Sequence, residues 1–110
     1  MQIAATPFTA IDWAAIAPTE HPGDSGVAVM HTLQAGGVRI RRVTYSPGYV
    51  ADHWCDLGHV AWVVAGGADI ALKDGRRFRL DAGMAFAVSD HGDAAHRVET
   101  ATGATLFIVD

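Results

Sequence analysis

From Gly26 onward the chain runs in short stretches of alternating apolar and polar residues, cut by glycine, proline and aspartate. The stretches fall near 27–34, 38–46, 49–54, 59–65, 68–73, 76–80, 84–89, 96–100 and 104–109. A period of two is what a strand shows when one face is buried and the other is wet. Between the stretches stand Gly36-Gly37, Ser46-Pro47-Gly48, Gly66-Gly67, Asp74-Gly75, Asp81-Ala82-Gly83, the segment 90–95 and Gly103. Asp74-Gly75 is the strongest hairpin signal, because glycine supplies the positive φ of a tight two-residue turn. Many short strands with regular turn signals, and no helix beyond a turn or so, predict an all-β sandwich or barrel.

The residues before Gly26 have a different texture. Thr9-Ala10-Ile11-Asp12 can initiate one helical turn over Trp13 to Ile16, which Pro18 stops. Glu20-His21-Pro22-Gly23-Asp24 reads as a turn cluster. Residues 1–25 are therefore expected to be an irregular N-terminal segment, and 26–110 the barrel. Phe8, Ile11, Trp13 and Ile16 give the segment too much apolar surface to stay free, so it should pack on the barrel or on a partner chain. A homodimer is expected, with this segment contributing to the interface.

Length and charge narrow the function classes. A chain of 110 residues accommodates one core and not two. Twelve acidic residues against eight basic ones leave a net charge of −4, without the basic stripe that phosphate-backbone binding needs. Arg39-Arg41-Arg42 and Arg76-Arg77-Arg79 do cluster, but each group sits in an alternating run, and a solvated sheet face is the simpler reading. No apolar run approaches the roughly 20 residues of a spanning helix. The first residues lack the charged and apolar regions of a secretory signal. Cys55 is the single cysteine, which excludes an intrachain disulfide and fits a reducing compartment. Together these features predict a soluble cytoplasmic domain that binds neither nucleic acid nor membrane.

The histidines are unevenly spread. His53, Cys55 and His59 share one window, and His96 follows about 37 residues later. On a strand, His53 and Cys55 point to one face. His59 heads a stretch in which Ala61 and Val63 share its side while Val60, Trp62 and Val64 take the other. His96 likewise heads a stretch with Val98 beneath it. A barrel that gathers these strand ends brings three imidazoles and a thiol to one point, a donor set for borderline and soft metals. Taken singly, each of the four is better read as a hydrogen-bonded core histidine or a small buried hydrophobe. It is their combination that favours a metal. A Cys–His nucleophile–base pair is the competing chemistry. Asp52 and Asp56 take the opposite face, as solvated groups or as partners to a histidine, and Trp54 and Trp62 are read as packing residues on the outer side. Arg39, Arg41 and Tyr45 fit either a carboxylate pocket or a sheet face.

The run Gly48 to His59, closed by Gly66, resembles the first cupin motif: His53 stands at its first His, Cys55 at its second, His59 at its Glu and Gly66 at its closing Gly. Gly75, Asp81-Ala82-Gly83 and His96 echo the second motif. The resemblance spans about residues 26–110, and Asp52-His53-Trp54-Cys55 is similar to the signature of the small cupins named for a "DHCW" motif. It implies a single-domain cupin, a double-stranded β-helix or jelly-roll barrel, with a metal at its mouth and usually a homodimer. The departures are as specific as the matches. Glu becomes His59, the second His becomes Cys55, the usual Pro becomes Asp81, and Thr100 stands where an Asn can follow the last His. The implied ligand set is thus His53, Cys55, His59 and His96. Without a hard oxygen donor it disfavours Mg²⁺, Ca²⁺ and Mn²⁺ and favours a divalent transition metal, Zn²⁺ first, with Ni²⁺, Cu²⁺ and Fe²⁺ behind it. The expected function is a metal-binding cupin acting on a small molecule. The alternative is a non-catalytic module that binds or senses a metal or ligand, and a metal-free structural barrel stands third.

Overall fold

In the computed structural model, which describes residues 3–110, nearly all regular structure is antiparallel β. A 3₁₀ turn at Trp13–Ala15 is followed by nine strands. These are β1 (Thr19–Pro22), β2 (Val27–Ala35), β3 (Val38–Tyr45), β4 (Tyr49–Val50), β5 (His59–Leu72), β6 (Arg77–Asp81), β7 (Ala85–Val88), β8 (His96–Thr100) and β9 (Ala104–Val109). Neighbours run β1-β2-β3-β9-β5-β8-β4, and β6 and β7 both add to β5. The all-β barrel expected from the alternation is present.

β5 is the spine. Its first half pairs with β9 and β7, and its second half with β8 and β6, so one strand passes from one wall of the barrel to the other. The crossing is made by a register shift between Val63 and Ala65 followed by Gly66. A bulge bends a strand and lets it change sheets. Gly66 has φ +72°, and a Cβ there would run into the carbonyl oxygen of Gly103 on the neighbouring chain segment. The sequence reading ended a strand at this glycine pair. In the structure the strand turns there and continues, because the backbone keeps its ladder partners on both sides.

The inward faces supply the core. Ala28, Val43, Ala61, Val63, Leu106 and Ile108 close one side and Ala68, Ile70 and Leu80 the other. Leu106, Val43 and Val63 are the largest side chains fully removed from solvent.

Two further expectations differ from the structure. The stretch 49–54 is strand only at Tyr49–Val50. Beyond it the chain is irregular to Gly58, with Asp52 spending its carboxylate on the adjacent His53. In the N-terminal segment the helical turn forms where expected, capped by the Asp12 carboxylate on Ala14 N, but Thr19–Pro22 is the edge strand β1 on β2. Proline lacks an N–H, and an edge position tolerates that loss. The segment docks on its own barrel. Trp13 meets Phe107 edge to face at 6.3 Å, and the Ile16 carbonyl lies 2.8 Å from His31 Nδ1. Phe8 remains 99% exposed.

Replacing Leu106 by alanine removes a fully buried side chain from the centre of this core. It is expected to cost about 3 kcal/mol by denaturant unfolding, whereas Val64→Ala on the outer face should cost less than about 0.5 kcal/mol.

Candidate metal centre

Three of the four expected ligands come together. One ligand atom each from Cys55, His59 and His96 lies within 4.8 Å of the other two. Each is delivered by a different piece of backbone. His59 begins β5 and His96 begins β8, both pointing into the barrel. Cys55 lies in the irregular 51–58 segment, which is tied to β8 by an isolated antiparallel bridge. Cys55 N–H donates to the His96 carbonyl and His96 N–H to the Cys55 carbonyl, each at 2.8 Å. That reciprocal pair fixes the thiol beside the imidazole where no strand would do so.

His53 stands apart. Its side chain is 77% exposed at the mouth, and its Nδ1 is 2.7 Å from Asp52 Oδ1. His53 and Cys55 do not share a strand face, because the chain bends at Asp52 and His53 and forms no strand through 53–55. Asp56 lies 3.1 Å from His91 Nδ1, across the loop between β7 and β8. Trp54 sits under the Arg97 guanidinium at 4.4 Å, a cation–π contact. Trp62 faces outward, as expected, and is half exposed.

Within the cluster His59 Nε2 and His96 Nε2 are 2.7 Å apart, with the rings nearly perpendicular. One nitrogen must donate and the other accept. On the far side of its ring, His59 Nδ1 is 3.4 Å from Asp110 Oδ2. A carboxylate there selects the Nδ1–H tautomer, leaving Nε2 as the acceptor and assigning the shared proton to His96. Burial lowers the pKa of both histidines; Asp110 partly opposes the shift at His59, and the neighbouring His59 adds to it at His96. Both rings are therefore neutral at pH 7, the form that ligates metal.

Asp110 went unnoticed in the sequence, although its position was readable. Alternation along β9 puts Ala104, Leu106, Ile108 and Asp110 on one face, so an acid follows three inward apolar residues. It accepts two hydrogen bonds from Arg39, at 2.9 and 2.7 Å, and one from Arg41 at 3.0 Å. Burial would raise this carboxyl, but the Arg39 hydrogen bonds and the two positive charges outweigh it and hold the pKa below the usual carboxylate value. This corrects the solvated-face reading of the Arg39-Arg41-Arg42 group at Arg41, while Arg39 stays 40% exposed. Arg41 is only 12% exposed and lines the barrel interior. The second cluster is solvated as expected, with Arg76, Arg77 and Arg79 paired to surface carboxylates.

The cluster opens on a cavity of about 150 Å³, walled by Arg41, Tyr45, Tyr49, Phe86, Val98 and Leu106 among others, with His53 at its edge. Phe86 and His96 also border a second hollow of about 260 Å³ between β6, β7 and β8.

The donor set fits a divalent transition metal. Two neutral imidazoles and a thiol are borderline-to-soft ligands, and His59 carries the carboxylate partner that commonly orients a metal-binding histidine. Two nitrogens on one Zn²⁺ sit roughly 3.3 Å apart at Zn–N lengths of about 2.0 Å, so the rings need to part by only about 0.6 Å.

No protein-family model matches the chain, and no curated protein matches it significantly. Solved structures do. A predicted oxalate decarboxylase from Thermotoga maritima superposes with a TM-score of 0.75 at 16% identity, over 92% of this chain and 96% of that one. An RmlC-like cupin from Shewanella frigidimarina gives 0.71 at 20% identity, over 94% and 90%. A cupin-superfamily sugar phosphate isomerase from Silicibacter pomeroyi gives 0.68 at 20% identity, over 92% and 74%. At such identities the likeness is one of fold. The chain has the cupin fold.

Replacing Asp110 by asparagine strands the buried Arg41 charge and frees the His59 ring. Such a loss is expected to cost about 3 kcal/mol in denaturant unfolding.

Proposed function

We propose that the protein is a metal-binding cupin whose centre takes one divalent transition metal, Zn²⁺ before Ni²⁺, Cu²⁺ or Fe²⁺, and acts on a small molecule admitted to the barrel. The observation that carries this reading is the convergence of Cys55, His59 and His96 at the wall of a cavity large enough for a ligand. Cys55, His59 and His96 form the seat, with His53 as a fourth ligand that reaches in from the mouth by rotating off Asp52. When bound, the metal supplies Lewis acidity toward an oxygen or nitrogen of the ligand. The chain's own parts orient and exclude. Asp110 holds the tautomer of His59, the Cys55–His96 bridge places the thiol, and Phe86, Val98 and Leu106 keep the interior dry. The run Asp52-His53-Trp54-Cys55 supports a place among the small "DHCW" cupins, within a cytoplasmic setting that suits a free thiol.

The alternative is a binding or sensing module without turnover. It is favoured by the position of His53, because a fourth protein ligand closes a tetrahedral Zn²⁺ site and leaves no position for a reacting group. His53→Ala separates the two: in a closed sensor it lowers metal affinity, and in an open site it barely changes it.

Protein purified without an affinity tag and loaded with one equivalent of Zn²⁺ should retain about one metal per chain by elemental analysis. Cys55→Ser and His96→Ala should each weaken retention by more than about 100-fold. With Co²⁺ the wild type should show a thiolate-to-metal charge-transfer absorption that Cys55→Ser lacks. Failure of the wild type to hold added Zn²⁺ would overturn the reading.

A homodimer is proposed on the outer face of β5, where Val60, Trp62 and Val64 stand exposed beside Phe107. The N-terminal segment, docked against Phe107 through Trp13, borders the same face. Light scattering should give a dimer mass at micromolar concentration, and Trp62→Glu should give a monomer that still binds Zn²⁺.

A further inference from the structure

Arg41 has more donors than the protein uses. Its Nη2 donates to Asp110, its Nη1 has only the Met30 sulfur at 3.8 Å, and its buried Nε has no partner among the described residues. A guanidinium carries five N–H donors, and leaving some of them buried and unmade is costly. The ion pairing points the same way. The half-exposed Arg39 takes two of the hydrogen bonds to the Asp110 side chain, and the buried Arg41 is left with one. The other ionisable groups facing the cavity do not pair with it. Arg97 shares Glu99 with Arg77, and His53 at the mouth lies 2.7 Å from Asp52.

Two phenols line the same cavity as Arg41. Tyr45 and Tyr49 stack at 4.8 Å between ring centroids, and neither hydroxyl makes a hydrogen bond within the described residues. Burial raises the pKa of both, so both phenols remain neutral donors. Arg41 and His59 meet at a single oxygen, Asp110 Oδ2. The unused donors are thus one carboxylate away from the candidate metal centre.

The geometry points to Arg41, with the Tyr45 and Tyr49 hydroxyls, as an anion anchor that recognises a small organic carboxylate and presents its other end to the Cys55–His59–His96 centre. This rests on the metal-centre reading and goes beyond it by naming the ligand class. The size follows from the cavity. About 150 Å³ accommodates a ligand of roughly six non-hydrogen atoms. Ala51, Val98, Leu106 and Ile108 line the remaining wall, which suits a short apolar or singly substituted carbon chain.

Butyrate and butyramide test this directly, because each has six non-hydrogen atoms and they differ in charge. Binding is followed by NMR titration on the full chain, metal-free and zinc-loaded, with Zn²⁺ affinity measured separately. Butyrate is expected to bind the metal-free protein at least tenfold more tightly than butyramide, and to shift the Arg41 Nε–H signal. Arg41→Gln should abolish that preference, and Tyr45→Phe should weaken butyrate binding a few-fold. If Arg41→Gln does not fold, the wild-type comparison and the Nε–H signal still decide. Equal affinity for the two probes overturns the anchor, as does butyrate binding that appears only with zinc and survives Arg41→Gln. Loss of Zn²⁺ binding with the butyrate preference intact overturns the metal centre instead and leaves the anchor standing.

Discussion

A single buried carboxylate organises the working end of this barrel. Asp110 pairs with the half-exposed Arg39 and the buried Arg41, and the same oxygen that meets Arg41 faces the far nitrogen of His59. Buried ion pairs add little stability compared with apolar packing, but removing one partner is expensive. The pairing therefore acts more on specification than on strength. It locks β3 to β9 at their ends, sets which nitrogen of His59 faces the cavity, and leaves some of the Arg41 donors unused.

How much of this was legible in the sequence depended on whether local pattern or long-range pairing controlled the residue. The strands were legible because period-two burial is local, and Asp74-Gly75 announced its own turn. β5 was misread as two strands because Gly66-Gly67 is a breaker in isolation, while in the barrel ladders on both sides hold the backbone through the bend. His59 and His96 were legible for the same reason as the strands, since each heads an alternating run. His53 was not, because its orientation depends on the backbone bridge between Cys55 and His96, a contact that no spacing rule encodes. The sequence left Arg41 between a solvated sheet face and a carboxylate pocket, and only the pairing of β3 with β9 reveals the acid that draws it inward.

The site that results is unlike a carboxylate-bearing iron centre. A thiol and two neutral imidazoles, one of them braced by Asp110, form a soft, preorganised cluster whose two nitrogens already share a proton. Softness selects the metal class. The fold selects what else can enter, because the cavity is small, its far wall is apolar, and its polar donors are gathered on one side. Coordination and ligand recognition are therefore coupled through one carboxylate, and a change at Asp110 should be felt in both.

The central claim is that Cys55 and the two histidines bind one metal together, and X-ray absorption at the zinc edge of the loaded protein tests it most directly. The account predicts one sulfur at about 2.3 Å and at least two imidazole nitrogens at about 2.0 Å, with the sulfur lost in Cys55→Ser. A shell of nitrogen and oxygen alone in the wild-type protein would contradict it.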